Sequence, residues 1–134
     1  MMKMARYETV LGVEVDEEIK KRAHAVMKAN GMTIGGAVRR MVNLGIMEHR
    51  IPFEVTRGPA FKDVGMSDQV AEFYGISKGD FHFSGIRVGV NIRMDTAFKA
   101  EMRAFCRTMC TNPNNLVSMF LGQVAFELRM PFVD

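Results

Sequence analysis

The chain has 134 residues, 48% of them hydrophobic and 25% charged, and a formal net charge of +3. A chain of this size can bury roughly two-thirds of its unfolded surface in one core, which excludes a disordered polypeptide. No apolar run reaches the roughly 18 residues of a transmembrane helix. Met1-Met2-Lys3-Met4-Ala5-Arg6 leads into no apolar stretch, which argues against a secretory signal. Cys106 and Cys110 are too few for a disulfide framework, so a reduced, cytoplasmic protein is expected.

Thr9–Val15 alternates, with Leu11, Val13 and Val15 on one face and Val10, Gly12 and Glu14 on the other. That period predicts a half-buried strand. Asp16 follows as an N-cap. Ile19, Ala23, Val26 and Met27 then fall at the spacing of one apolar helical stripe, and Asn30-Gly31 closes the helix with a residue able to take φ > 0. A second helix opens at Thr33, carries Ala37, Val38, Met41, Val42 and Ile46, and is stopped by Pro52. In the connector, residues 56–86, Ser67 or Asp68 caps a short helix ending at Gly75. Phe61, Phe73, Tyr74, Phe81 and Phe83 are too many aromatics for a flexible linker, so the segment either packs on the helices or offers a docking surface. A second strand follows, with Val88, Val90, Ile92 and Met94 alternating against Arg87, Gly89, Asn91 and Arg93. Asp95 caps a helix with its stripe at Phe98, Met102, Phe105 and Cys106. Asn112-Pro113, an N-cap with proline at the first helical position, opens a last helix that Pro131 stops.

The second series repeats the first. Sliding the chain by 79 positions aligns Gly12–Val55 with Asn91–Asp134 without a gap. Asp16 meets Asp95, Lys20 meets Lys99, and Ile51-Pro52-Phe53 meets Met130-Pro131-Phe132. The expected organisation is a strand–helix–helix module at 1–55, a connector at 56–86 and a second module at 87–134. A single module has a strand with two bare edges and too small a core, so the two strands should pair antiparallel. The pairing closes either within one chain, as a pseudo-dimer, or between two chains as a swapped homodimer. Residues 1–55 hold nine Lys/Arg against seven Asp/Glu, 56–86 three against four, and 87–134 six against four. Mildly basic modules are compatible with nucleic acid without demanding it.

Val13-Glu14-Val15-Asp16-Glu17-Glu18-Ile19-Lys20, Asn30-Gly31-Met32-Thr33-Ile34 and Ile51-Pro52-Phe53-Glu54-Val55 together resemble the RelB/DinJ family of ribbon-helix-helix antitoxins from bacterial toxin–antitoxin pairs. The resemblance is close over residues 9–55, looser over 87–134 and absent from 56–86. It implies a mainly α fold with a two-stranded antiparallel β-ribbon, built here from two ribbon-helix-helix (β-α-α) modules. It implies a transcriptional regulator whose ribbon enters the DNA major groove, with a phosphate held at the start of each second helix, at Thr33 and Asn112. It also implies a cognate toxin as partner. Two modules in one chain, ending at Asp134 without the usual toxin-wrapping extension, depart from the family plan.

Carried onto this chain, the reading positions are Val10, Gly12 and Glu14 in the first module and Gly89, Asn91 and Arg93 in the second. Arg93 can bond guanine bidentately and Asn91 adenine, and Arg87 can add a phosphate or base contact. Glu14 can accept from a cytosine amino group but repels phosphates. If the strands pair about Gly12 and Asn91, Glu14 comes within diagonal reach of Arg87 and the two can neutralise each other. Specificity is then expected from the Asn91–Arg93 half, with the other half held through the helix at Thr33. A protein-interaction module that keeps the fold but has lost DNA readout remains the alternative. His24, His49 and His82 lie in separate elements, and Cys106 sits in an apolar stripe as a core thiol. No catalytic constellation, metal site or cofactor is expected.

Overall fold

In the computed structural model, residues 9–53 and 83–131 are described. The short helix expected in the connector, and most of the connector's aromatics, lie outside them. The elements run β1 (Thr9–Asp16), α1 (Glu17–Ala29), α2 (Ile34–Glu48), β2 (Arg87–Met94), α3 (Thr96–Thr108) and α4 (Pro113–Glu127). The fold is mainly helical, and none of the described helices is long and apolar enough to cross a membrane.

β1 and β2 form one antiparallel sheet in which Thr9 faces Met94, Gly12 faces Asn91 and Asp16 faces Arg87. Alternation sends Leu11, Val13, Val15, Val90, Ile92 and Met94 to one face, where each is at most 7% exposed. Burying a Val, Leu or Ile side chain contributes about 1.5–3 kcal/mol, so this face alone commits the ribbon to the helices beneath it. The core continues through Met27, Val38, Met41, Met102, Leu116 and Phe120. Phe53 is buried with its ring 5.5 Å from that of Phe120. The Ile51-Pro52-Phe53 segment therefore pins the end of the first half onto α4.

Each helix starts where its cap was expected. Asp16 accepts from Glu18 N, Thr33 from Gly36 N, Asp95 from Phe98 N and Asn112 from Asn115 N. The second helix of each half ends earlier than its proline suggests. α2 stops at His49 and α4 at Leu128, both left-handed, with φ 58° and 54°. The reversal at these caps has already ended the helix, so Pro52 and Pro131 follow in chain that is no longer helical. Gly31 is left-handed at φ 72°, and Cys110 takes the same region without being glycine.

Asp16 does more than cap α1. Its carboxylate also accepts from Ser84 N (3.1 Å), Ser84 Oγ (3.3 Å) and Gly85 N (3.0 Å), so it clasps the chain arriving at β2. Glu17 N donates to Ile86 O at 2.8 Å beside it. Burial works to raise the Asp16 pKa, but the donors of Ser84, Glu18 and Gly85 outweigh it and hold the group below its ordinary 3.8. Because the folded pKa is depressed, the clasp's contribution is fully present above the unfolded pKa and is lost as pH falls through the folded one. Asp16→Ala should cost about 1–3 kcal/mol in urea unfolding at neutral pH, and the gap from wild type should narrow below about pH 4.

Two helical glycines differ in their surroundings. A Cβ on Gly45 would meet the Phe105 ring at 2.6 Å and Arg50 O at 3.2 Å, whereas one on Gly122 would meet nothing nearer than Phe126 at 3.8 Å. Alanine gains about 1 kcal/mol of helix propensity over glycine, and overpacking loses about 1–3 kcal/mol. Gly122→Ala should therefore stabilise the protein and Gly45→Ala destabilise it, as read by urea midpoints.

Candidate nucleic-acid interface

The face of the ribbon away from the core exposes Val10, Gly12, Glu14, Arg87, Gly89, Asn91 and Arg93. The register sets Val10 opposite Arg93, Gly12 opposite Asn91 and Glu14 opposite Gly89. Gly12, Glu14, Arg87, Gly89 and Asn91 line, with Val13 and Asn114, a shallow depression of about 400 Å³. Gly12 leaves room for its neighbour: a Cβ there would lie 3.5 Å from Asn91 Oδ1. Among the described residues, neither the Asn91 amide nor the Arg93 guanidinium has a hydrogen-bond partner or ion pair.

The edges of the ribbon are held by lysines from the helices that follow each strand. Lys20 Nζ donates to Gly89 O at 3.0 Å. Lys99 Nζ donates to Val10 O at 3.0 Å and to Thr9 Oγ1 at 3.4 Å. Each helix thus reaches across to the opposite strand. Both strands of a two-stranded sheet have an unpaired edge, and an ammonium there blocks further pairing while keeping positive charge beside the exposed face.

The starts of α2 and α4 flank the two ends of the ribbon. Arg39, in the second turn of α2, donates Nη1 to Arg93 O at 2.7 Å. Its guanidinium folds back over the helix start, since a Cβ on Gly35 would lie 3.2 Å from Arg39 Nη1. At the other end, Asn114 Oδ1 accepts from Glu14 N at 3.3 Å. Thr33 therefore stands at the Arg93 end and Asn112 at the Glu14 end. This corrects the expectation that Thr33 serves the half opposite Arg93: the antiparallel ribbon carries the second helix of one half to the strand end of the other.

The charge pairing is also corrected. Arg87 Nη2 donates to the Glu14 main-chain oxygen at 2.8 Å and not to its carboxylate. Glu14 stays exposed, with no ion pair within 4 Å among the described residues. The predicted site residues Gly12, Glu14, Arg87, Asn91 and Arg93 thus share one surface, with Thr33 and Asn112 at its ends. Arg39 was not among the candidates; it lies six residues beyond the Thr33 cap, and no spacing along the chain pointed to its bond with Arg93 O. Cys106 is 1% exposed, and burial pushes its thiol up to about 11, as befits a core residue.

No family model matches the chain, and no curated protein or solved structure matches it.

A disulfide checks the geometry of this surface. Directly opposed residues of an antiparallel pair lie close enough to be bridged. Gly12→Cys with Asn91→Cys, in a Cys110→Ser background, should oxidise to an intrachain bridge that runs as a monomer on a non-reducing gel. Covalent dimers instead would mean that the strands pair between chains.

Proposed function

We propose that this chain is a DNA-binding transcriptional regulator of ribbon-helix-helix type, similar to RelB/DinJ antitoxins, acting in the cytoplasm as one intrachain pseudo-dimer. The observation that carries the reading is the exposed ribbon face, on which the Asn91 and Arg93 side chains have no partner among the described residues and Gly12 and Gly89 permit close approach. The major groove, about 12 Å wide, admits such a ribbon and presents the acceptors and donors that Arg and Asn recognise.

The two-module reading is supported by details that recur at the 79-residue offset. Strand, first helix and second helix have 8, 13 and 15 residues in both halves. The caps Asp16 and Asp95, Thr33 and Asn112, and the left-handed His49 and Leu128 correspond. So do the bonds from Lys20 to Gly89 O and from Lys99 to Val10 O. The pair Gly12–Asn91 is its own equivalent and marks the centre of the ribbon.

One observation favours the second reading, an interaction module directed at a protein such as a toxin. A cleft of about 310 Å³ between α2 and α3 is lined by Ile46, His49, Ala104, Phe105 and Met109. Met47, the residue after Ile46, is 75% exposed.

A salt titration on a fluorescent duplex decides between them. Binding should weaken with a log–log slope of about −0.9 per phosphate neutralised. Glu14→Arg should tighten binding to any duplex and steepen that slope, because it replaces an acid beside the phosphates with a base. Absence of binding to every duplex at low salt, for both proteins, would reject the regulator in favour of the interaction module.

A further inference from the structure

We infer that the ribbon engages duplex DNA with a fixed polarity: a single chain recognises a non-palindromic site, reading bases at the Arg93 end and holding only backbone at the Glu14 end. This rests on the DNA-binding reading above and adds what that reading leaves open, the symmetry of the target and the number of chains on it.

The argument starts from the register. A dimer of identical strands presents the same side chains at both ends of its ribbon and so matches a palindrome. Here the positions related by the ribbon's centre carry different chemistry. Val10 and Gly89 are equivalent, as are Gly12 and Asn91, and Glu14 and Arg93. The strongest base reader on one side is thus answered by a carboxylate on the other. Asn91 stands at the centre opposite a glycine, so even the midpoint offers one amide rather than two.

The flanks match in their cations and differ at the helix starts. At the Arg93 end, Arg39 lies over the start of α2 and bonds Arg93 O, and Lys99 holds Val10 O. At the Glu14 end Lys20 holds Gly89 O and Arg87 bonds Glu14 O, so each end carries one lysine and one arginine fixed to main-chain oxygens. The helix starts are where the two ends part. The first amides of α2 belong to Ile34 and Gly35, whereas α4 begins with Pro113, which has no N–H to give. Both ends can therefore hold backbone through their cations, and the Glu14 end has one helix-start amide fewer and no base reader. Because one chain supplies both strands, no second copy restores the missing half.

The test is selection of bound duplexes from a library with a randomised core, using the full chain at low salt. The expected result is one motif whose information lies on one side of its centre. Arg93→Ala should lower affinity for that motif by about 5- to 150-fold, the worth of a lost bidentate base contact, and relax discrimination at that position alone. An iron chelate tethered to Cys110, exposed and two residues before the Asn112 cap, should cleave one flank only, the flank away from the Arg93 contact. A palindromic motif, binding without any motif, or equal cleavage of both flanks would each overturn the polarity while leaving DNA binding intact. Failure to retain any duplex would overturn the DNA-binding reading itself, and the polarity with it.

Discussion

The rest of the molecule depends on two eight-residue strands from separate halves of the chain finding each other. A two-stranded sheet is marginal by itself in water, and closing the long loop between these strands adds an entropic penalty. What offsets both is the shared inner face. Leu11, Val13 and Val15 cover the same helices as Val90, Ile92 and Met94, so neither half completes its core without the other strand. Folding is expected to be cooperative across the whole described structure for this reason. The Asp16 clasp on Ser84 and Gly85 and the Phe53 ring on Phe120 add to this, one at the ribbon and one beneath it.

Much of this was legible because local chemistry and global fold agree. Period-two alternation named the inner face, and the four caps at Asp16, Thr33, Asp95 and Asn112 sit where side-chain acceptors precede apolar stripes. The pairing of Gly12 with Asn91 could be anticipated because a strand with two bare edges must find a partner. The misses have a common cause. Left-handed endings at His49 and Leu128 carry no glycine to announce them, so the prolines further along drew the boundary instead. Which helix start stands beside which end of the ribbon is a matter of crossing in three dimensions, and no spacing along the chain contains it. Arg39 was invisible for the same reason, since its partner is a main-chain oxygen far away in sequence.

The frame also tolerates unequal filling. Gly45 lies under the Phe105 ring, while the positions 79 residues away in each direction hold Val124 and Val26. A large ring over a glycine on one side corresponds to two medium side chains on the other, the compensation by which a packed core keeps its volume. Phe105 then lines the open cleft between α2 and α3. Buried Arg22 pairs with Glu18 in α1, and near the end of α4 Glu127 pairs with Arg129 and accepts from Gln123. Unequal filling of this kind leaves the strand register and the helix caps in place.

That separation bears on how one chain with two unlike halves could serve a recognition role. The inner face of the ribbon must satisfy packing on both strands at once, so its six apolar positions are tightly constrained. The outer face is freer: Asn91, Arg93 and Glu14 are exposed, and the lysines that protect the edges bond main-chain oxygens rather than these side chains. Covalent joining of the halves removes the requirement that both ends of the ribbon be identical. A single substitution in a homodimer changes two positions, whereas here it changes one. The side chain at the Arg93 end can therefore be changed without altering the Glu14 end, because the two are joined through a core that neither side chain enters.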